Sequence, residues 1–411
     1  MEIRPIISAL MRSKVALVLI GLQIALTLAI VCNALFIISQ RVETMNRPSG
    51  MSETETFRIS SFGFGAGYNV KNAFAEDLAM LRGLPGVADA SPMSTTPMSD
   101  SGWSEAVNLT AEQKTSTTSA ALYFVDEHGI NSYGLNLTAG RNFKPDEITA
   151  RDRNTKGWPP GIIVTKALAQ KLFPDQDPIG KQFYLDTKAA PSTIIGVIER
   201  MIVPWPRGFI INGDSNALEY SILVPQINAN GFSSAYLIRA EPGRRDELMK
   251  TVETKLGETN HSRIVRSMKT IEAVRAECYA SDRAMMIILS TVIFCLLTIT
   301  ALGIVGMASF WVTQRTKQIG TRRALGATRG SILRYFLTEN FLITSGGLAL
   351  GAVLTYALSF WLMSHSHQAV LLPWHYVPIG FVCLWLLGQI AVLGPATRAS
   401  RVSPAIATRS V

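Results

Sequence analysis

Between two long apolar runs the chain carries WVTQRTKQIGTRRALGATRG, residues 311–330. Arg315, Lys317, Arg322, Arg323 and Arg329 place five cations there with no acidic residue. Such groups bind anions, either carboxylates on a protein surface or lipid headgroups. Ile319, Ala324 and Leu325 sit between the charges, spaced for one face of a short helix. A basic amphipathic segment between two membrane spans belongs at the cytoplasmic surface, within reach of a partner. Bond-making chemistry has no comparable signature. There is no GxxxxGK[ST] phosphate loop, since Gly326-Ala-Thr-Arg-Gly lacks the lysine–hydroxyl pair, and no HExxH or GxSxG. No Cys/His cluster has metal-ligand spacing, and His365, His367 and His375 read as solvated surface. The expectation is a chain without catalytic residues, metal or cofactor of its own.

The elements around this segment follow from hydropathy. Of 411 residues, 48% are hydrophobic and only 17% charged, below the usual quarter. Apolar runs near 15–39, 284–312, 332–361 and 377–394 are each about long enough to cross a bilayer. The first is too long for a signal-peptide core and lacks a following cleavage pattern, so a retained span is expected. The net charge of +9 is unevenly spread. Residues 41–283 hold 27 basic and 28 acidic groups, whereas the rest of the chain holds 12 and 2. That excess lies beside the spans, at Arg4, Arg12 and Lys14, at Arg315 to Arg334, and at Arg398, Arg401 and Arg409. This argues against nucleic acid and places all three segments, with both termini, in the cytoplasm. The expected order is a cytoplasmic N-terminus (1–14), a first span (15–39, with a stalk to about 46), an ectodomain (47–283) and a second span (284–312). An elbow (313–331), a third span (332–361), an outer loop (362–376), a fourth span (377–394) and a cytoplasmic tail (395–411) follow.

Polar and small residues within the spans suggest packing. Gln23 and Asn33 are expected to hydrogen-bond between helices, and Gly303, Gly306, Gly346, Gly347 and Gly351 to allow close approach. Glu339 is an intramembrane charge that requires a partner, either Arg334 or an elbow arginine. Within the ectodomain, 56–93 and 235–268 each read as strand, helix, strand. Together they suggest two α/β modules joined by a β-rich insertion. Cys278 is alone there, so no internal disulfide is available. The Asn108 and Asn136 sequons are read as chance, and the loop at Pro204, Trp205, Pro206 and Arg207 as packed on its own domain rather than on a partner.

Several stretches share a resemblance. They are QRTKQIGTRRALGATRGSILRYFLTEN, FAEDLAMLRGLPGVADASPMS, the Ala139-Gly-Arg-Asn-Phe turn, IIVTKALAQKLFPDQDPIGKQFYLD and the tail ATRASRVSPAIATR. In this order the chain resembles MacB-like and FtsX-type ABC transporter permeases, here without a fused ATPase domain. The resemblance implies an α-helical membrane protein with four transmembrane helices and a large α+β ectodomain between the first two. It implies a non-catalytic permease that transmits the motion of a separate ATPase, two copies of which bind ATP and Mg. Arg315, Lys317, Ile319, Arg322, Arg323, Ala324, Leu325 and Gly326 would form the ATPase-coupling segment. Other implied partners are a second copy of the chain or a paralogous permease, a periplasmic adaptor and an outer-membrane channel. The implied location is the bacterial inner membrane. Efflux is the first expectation; regulation of a cell-wall hydrolase, peptide sensing and lipoprotein extraction are the alternatives.

Overall fold

The computed structural model describes residues 14–64, 68–152, 154–185, 190–206, 214–365 and 371–402. Arg4, Arg12, Arg207, His367 and Arg409 lie outside them. The chain divides into two units, Met1–Met45 with Asp282–Val411, and Asn46–Ser281. Helix α1 (Lys14–Asn46) is followed by β1 (Thr56–Gly63), α2 (Val70–Arg82), β2 (Val87–Pro92), β3 (Trp103–Val107) and β4 (Thr118–Phe124). Then come α3 (Gly129–Tyr133), β5 (Leu137–Gly140), β6 (Thr149–Arg151), β7 (Gly161–Thr165), α4 (Lys166–Leu172), β8 (Gln182–Phe183) and β9 (Ser192–Ile198). The ectodomain closes with β10 (Ser221–Val224), β11 (Gln226–Asn228), β12 (Ser233–Ala240), α5 (Arg245–Thr259), β13 (Arg263–Thr270) and α6 (Ile271–Cys278). Helices α7 (Ala280–Gln314), α8 (Thr316–Ala324), α9 (Arg329–His365) and α10 (Tyr376–Ser400) are the last described elements.

The two strand–helix–strand stretches do not form separate modules. They interleave in one sheet of order β13-β1-β12-β2, with all described pairings antiparallel. This is the order of a split βαβ sandwich. Two strands alone could not cover a helix, whereas four give α2 and α5 one shared face. Phe57 and Ile59 alternate onto that face with Tyr236 and Ile238. Phe74, Leu78 and Leu81 of α2 and Leu248, Val252 and Leu256 of α5 pack over them. Asn69 caps α2 by accepting from the backbone N–H groups of Lys71 and Asn72 at 3.0 and 3.4 Å.

The chain between β2 and β12 forms a second lobe on a mixed sheet of order β3-β4-β10-β7-β9-β5, with β8 on β9. Its core joins Leu122, Phe124, Ile162, Val164, Ile194 and Ile222 to Leu168 and Leu172 of α4. Gly140 turns with φ +75°, where a Cβ would lie 2.2 Å from the Ile195 carbonyl oxygen, and Phe143 is buried beyond it. Asn108 is buried, so its sequon offers no glycan site. Val203 and Pro204 are buried, and the Trp205 ring packs against Gly102, so the described part of that loop lies on its own lobe.

The two lobes meet at a charged cluster. Arg82 of α2 pairs with Asp126, which follows β4, and donates from Nε to the Ala90 carbonyl at 2.9 Å. His128 Nδ1 lies 2.8 Å from Asp89 Oδ1 of β2. Burial pushes the Asp126 carboxyl up to about 6 from its ordinary 3.8, against the pull of Arg82. The folded state therefore holds this proton more tightly than the unfolded state does. Its stabilising contribution is complete below about pH 4 and is lost as pH rises through 6. Denaturant unfolding should show greater stability at pH 5 than at pH 7.5, and Asp126→Asn should flatten that dependence.

Among the described residues four helices are long and apolar enough to cross a membrane: Leu17–Asn46, Ala280–Gln314, Arg329–His365 and Tyr376–Ser400. With no water to satisfy backbone groups, such runs fold as helices. The apolar window of α1 is 50% buried and that of α7 only 11%, so α1 is the packed axis of this unit. Asn33 of α1 donates to the Thr355 carbonyl of α9 at 3.2 Å, and the Thr27 and Thr300 hydroxyls lie 2.8 Å apart. Arg41 of α1 pairs with Asp282 of α7.

The five small-residue positions divide. A Cβ at Gly347 would lie 2.9 Å from the Gly21 carbonyl oxygen, one at Gly351 would lie 3.0 Å from Ala25 Cα, and one at Gly303 would lie 2.8 Å from Gln23 Oε1. Gly306 and Gly346 face open space among the described residues, so they make no close contact with them. Gly351→Leu should force α9 off α1 at a cost of about 1–3 kcal/mol. Gly346→Leu, on the open face, should leave thermal unfolding in detergent near the parent value.

Helix α6 ends at its C-cap Tyr279, and its Arg275 is held by Glu53 at 2.6 and 2.7 Å and by the Arg47 carbonyl at 3.1 Å. One helix end differs from expectation. The fourth span does not stop at Gly394-Pro. It continues through Pro395 to Ser400 because Ala396 and Ala399 are packed against α8 and α9.

Candidate functional site

The basic segment folds as a separate short helix, α8, between α7 and α9. Its two ends are built differently. At the start, Arg315 leaves helical geometry with φ −104° and ψ 12°. At the end, Gly326 adopts φ +95°, with its N–H on the Arg323 carbonyl at 3.2 Å and the Ala327 N–H on the Arg322 carbonyl at 3.0 Å. These two bonds form a Schellman closure, which needs a residue tolerant of the left-handed region. Thr328 then caps α9, accepting from the Ser331 N–H at 3.2 Å.

This closure decides what the helix presents. Leu325, at the C-cap, is 83% exposed, with Ala324 and Gly326 also exposed beside it. Ile319 is buried against Ile332 and Phe336 of α9 and Ala396 and Ala399 of α10. Ile319, Ala324 and Leu325 therefore do not share one face, contrary to the spacing argument. The helix is too short to carry a continuous stripe, and its cap turns Leu325 away.

The cations also divide. Lys317 and Arg322 are exposed and Arg323 is half-buried. The Arg322 guanidinium lies 5.1 Å from the centre of the Tyr335 ring. Arg315 turns inward, with Nη1 at 2.8 and 3.0 Å from the two oxygens of Glu339 and at 3.3 Å from the Tyr335 hydroxyl. Glu339 is 1% exposed, so an elbow arginine, not Arg334, neutralises it. Sequence reasoning supplied both partners but not their pairing, since Arg315 and the other elbow cations are equivalent in a string. Asn340 and Thr344 went unremarked in the sequence; both are buried facing Gly388 of α10. Among the described residues no group of three or more His, Cys, Asp or Glu could hold a metal ion.

Residues 16–255 match the MacB-like periplasmic core domain, and residues 290–404 match the FtsX-like permease C-terminal region. The chain is 25% identical over 317 residues to the macrolide export ATP-binding/permease protein MacB of Neisseria meningitidis, covering 76% of this chain and 46% of that one. It is 26% identical over 306 residues to the uncharacterized ABC transporter permease YknZ of Bacillus subtilis, covering 71% and 70%. The chain thus spans about half the length of the MacB relatives it matches. The crystal structure of the periplasmic region of MacB from Actinobacillus actinomycetemcomitans aligns with 57% of this chain and 97% of that one, at 15% identity and a TM-score of 0.35. Two family regions in this order, the first covering more than half of the chain, show that this multi-pass membrane protein belongs to the permeases with a MacB-like periplasmic core domain and an FtsX-like C-terminal region.

Proposed function

We propose that the chain is the non-catalytic permease subunit of an ABC transporter, and that α8 is the docking element for a separate ATPase. The observation that carries this reading is the exposed Leu325. A large apolar side chain is held outward by the Schellman closure, at the end of a basic helix whose Ile319 is anchored in the bundle. An apolar knob ringed by cations fits an acidic-rimmed apolar groove. Lys317, Arg322, Arg323 and Ala324 would border that contact, and Gly326 would set its geometry. ATP and Mg would bind on the partner, in two copies serving a dimer of this chain or a pair with a paralogue. Closure of the ATPases would move the spanning helices and, through them, the periplasmic domain. The work performed would be efflux across the inner membrane with a periplasmic adaptor and an outer-membrane channel.

Mild-detergent purification of tagged chain from its native membrane, with mass spectrometry of what stays bound, tests this. An ATPase with a periplasmic adaptor is the expected result. An ATPase with a cell-wall hydrolase would replace efflux by regulation. Recovery of lipid but no ATPase, under conditions that preserve known complexes, would overturn the docking reading.

A further inference from the structure

Arg315 occupies the break between α7 and α8, the point about which the elbow would turn. Its guanidinium reaches back to Glu339, nearly three turns into α9, and touches both carboxylate oxygens through one nitrogen. Tyr335 and Glu339 are one helical turn apart and share a face of α9. Arg315 binds both of them, and Arg322 lies over the ring of the first. Between these two arginines Ile319 is seated on Ile332 and Phe336, also of α9. The start, middle and end of α8 are thus all tied to one helix.

The ionic tie differs in kind from the apolar one. A buried carboxylate deprived of its cation is strongly destabilised, so the two groups resist separation far more than an exposed pair does. Beside Glu339 is a small cavity lined by Trp311, Phe336, Asn340, Ile343 and Val392, with room for about one water. Asn340 Nδ2 and Trp311 Nε1 have no hydrogen-bond partner among the described residues.

We propose that Arg315–Glu339 is a positioning pair that locks the elbow to the third span, so that α8 and α9 move as one piece. Any turn of α8 about Arg315 must either strip Glu339 of its cation or carry α9 along. Arg315 is then a transmission residue rather than a contact to the ATPase. The functional meaning rests on the docking reading above, whereas the lock itself does not.

The lock is tested without a partner, in proteoliposomes of the full chain. Ile319→Cys is introduced after the four native cysteines are replaced, and labelling by a water-soluble maleimide is timed. Position 319 is buried, so labelling of this parent is slow. Glu339→Gln, an isosteric change, and Arg315→Gln should each speed it by about tenfold or more, and Arg315→Lys by less. The exchange Arg315→Glu with Glu339→Arg should restore most of the protection. Size-exclusion elution and circular dichroism identify any variant that has simply failed to fold, in which case Arg315→Lys and the exchange decide. Unchanged labelling in both glutamine variants would overturn the lock. Pull-down separates the two readings. Glu339→Gln should keep the ATPase bound, whereas Leu325→Asp should release it. Retention by Leu325→Asp removes the docking reading and leaves the labelling result standing. Loss of binding in Arg315→Gln with unchanged labelling would return Arg315 to the docking surface and overturn the proposal.

Discussion

Arg263→Ala should unfold the periplasmic domain more readily than any surface change, at a cost of about 3–5 kcal/mol. Arg263 of β13 is buried, and its guanidinium grips Asp77 of α2 in a fork, with Nη1 on Oδ2 and Nη2 at 2.8 Å from Oδ1. Nε donates to the Leu256 carbonyl at the end of α5, at 3.0 Å, and Tyr236 of β12 donates to the same carboxylate. One guanidinium thus ties together both covering helices and two strands. The side chains of Arg263 and Asp77 are 0% and 1% exposed, so removing one leaves the other charged without water. For a domain of this size the transition should fall by on the order of 10 °C in a thermal melt of the detergent-solubilised chain. Asp77→Ala should behave similarly. The apolar double variant Arg263→Met with Asp77→Leu should recover much of the loss, because it removes both charges together. A single variant that melts with the parent would show that the pair contributes nothing.

Leu325→Asp should leave the fold intact and abolish nucleotide-dependent coupling. Leu325 is 83% exposed and contributes nothing to the packing described, so thermal unfolding should match the parent. If it fills an apolar groove on the ATPase, an aspartate there places an unpaired carboxylate in a desolvated contact and sets it against the groove's acidic rim. Truncating such a central anchor costs at least about 2 kcal/mol, and a buried charge costs more, so binding should weaken by about a hundredfold or more. The measurement is ATPase stimulation and pull-down with the ATPase recovered from the native membrane. Leu325→Met, similar in volume and apolar, is the control and should retain coupling. Full stimulation by the aspartate variant would sink the assignment of this helix as the docking element.

What the sequence determined is what depends on composition and local spacing. The four spanning helices follow from runs of apolar residues that can satisfy their backbone only internally. The elbow follows from five cations without an acid between two such runs, and the two strand–helix–strand stretches from their periodicities of two and 3.6. The need of Glu339 for a cation was legible for the same local reason. Tertiary structure decided what depends on which faces meet. It interleaved β1, β2, β12 and β13 in one sheet, since no local property of a strand names its neighbour across the 140-odd residues that separate β2 from β12. It assigned Gly347 and Gly351 to α1 while leaving Gly346 open, because successive helical positions point 100° apart and only packing says which direction is occupied. It also split a set of elbow cations that look alike in the sequence. Arg315 falls at the helix break and can reach back into the bundle, and Gly326 closes the helix so that Leu325 points away from it.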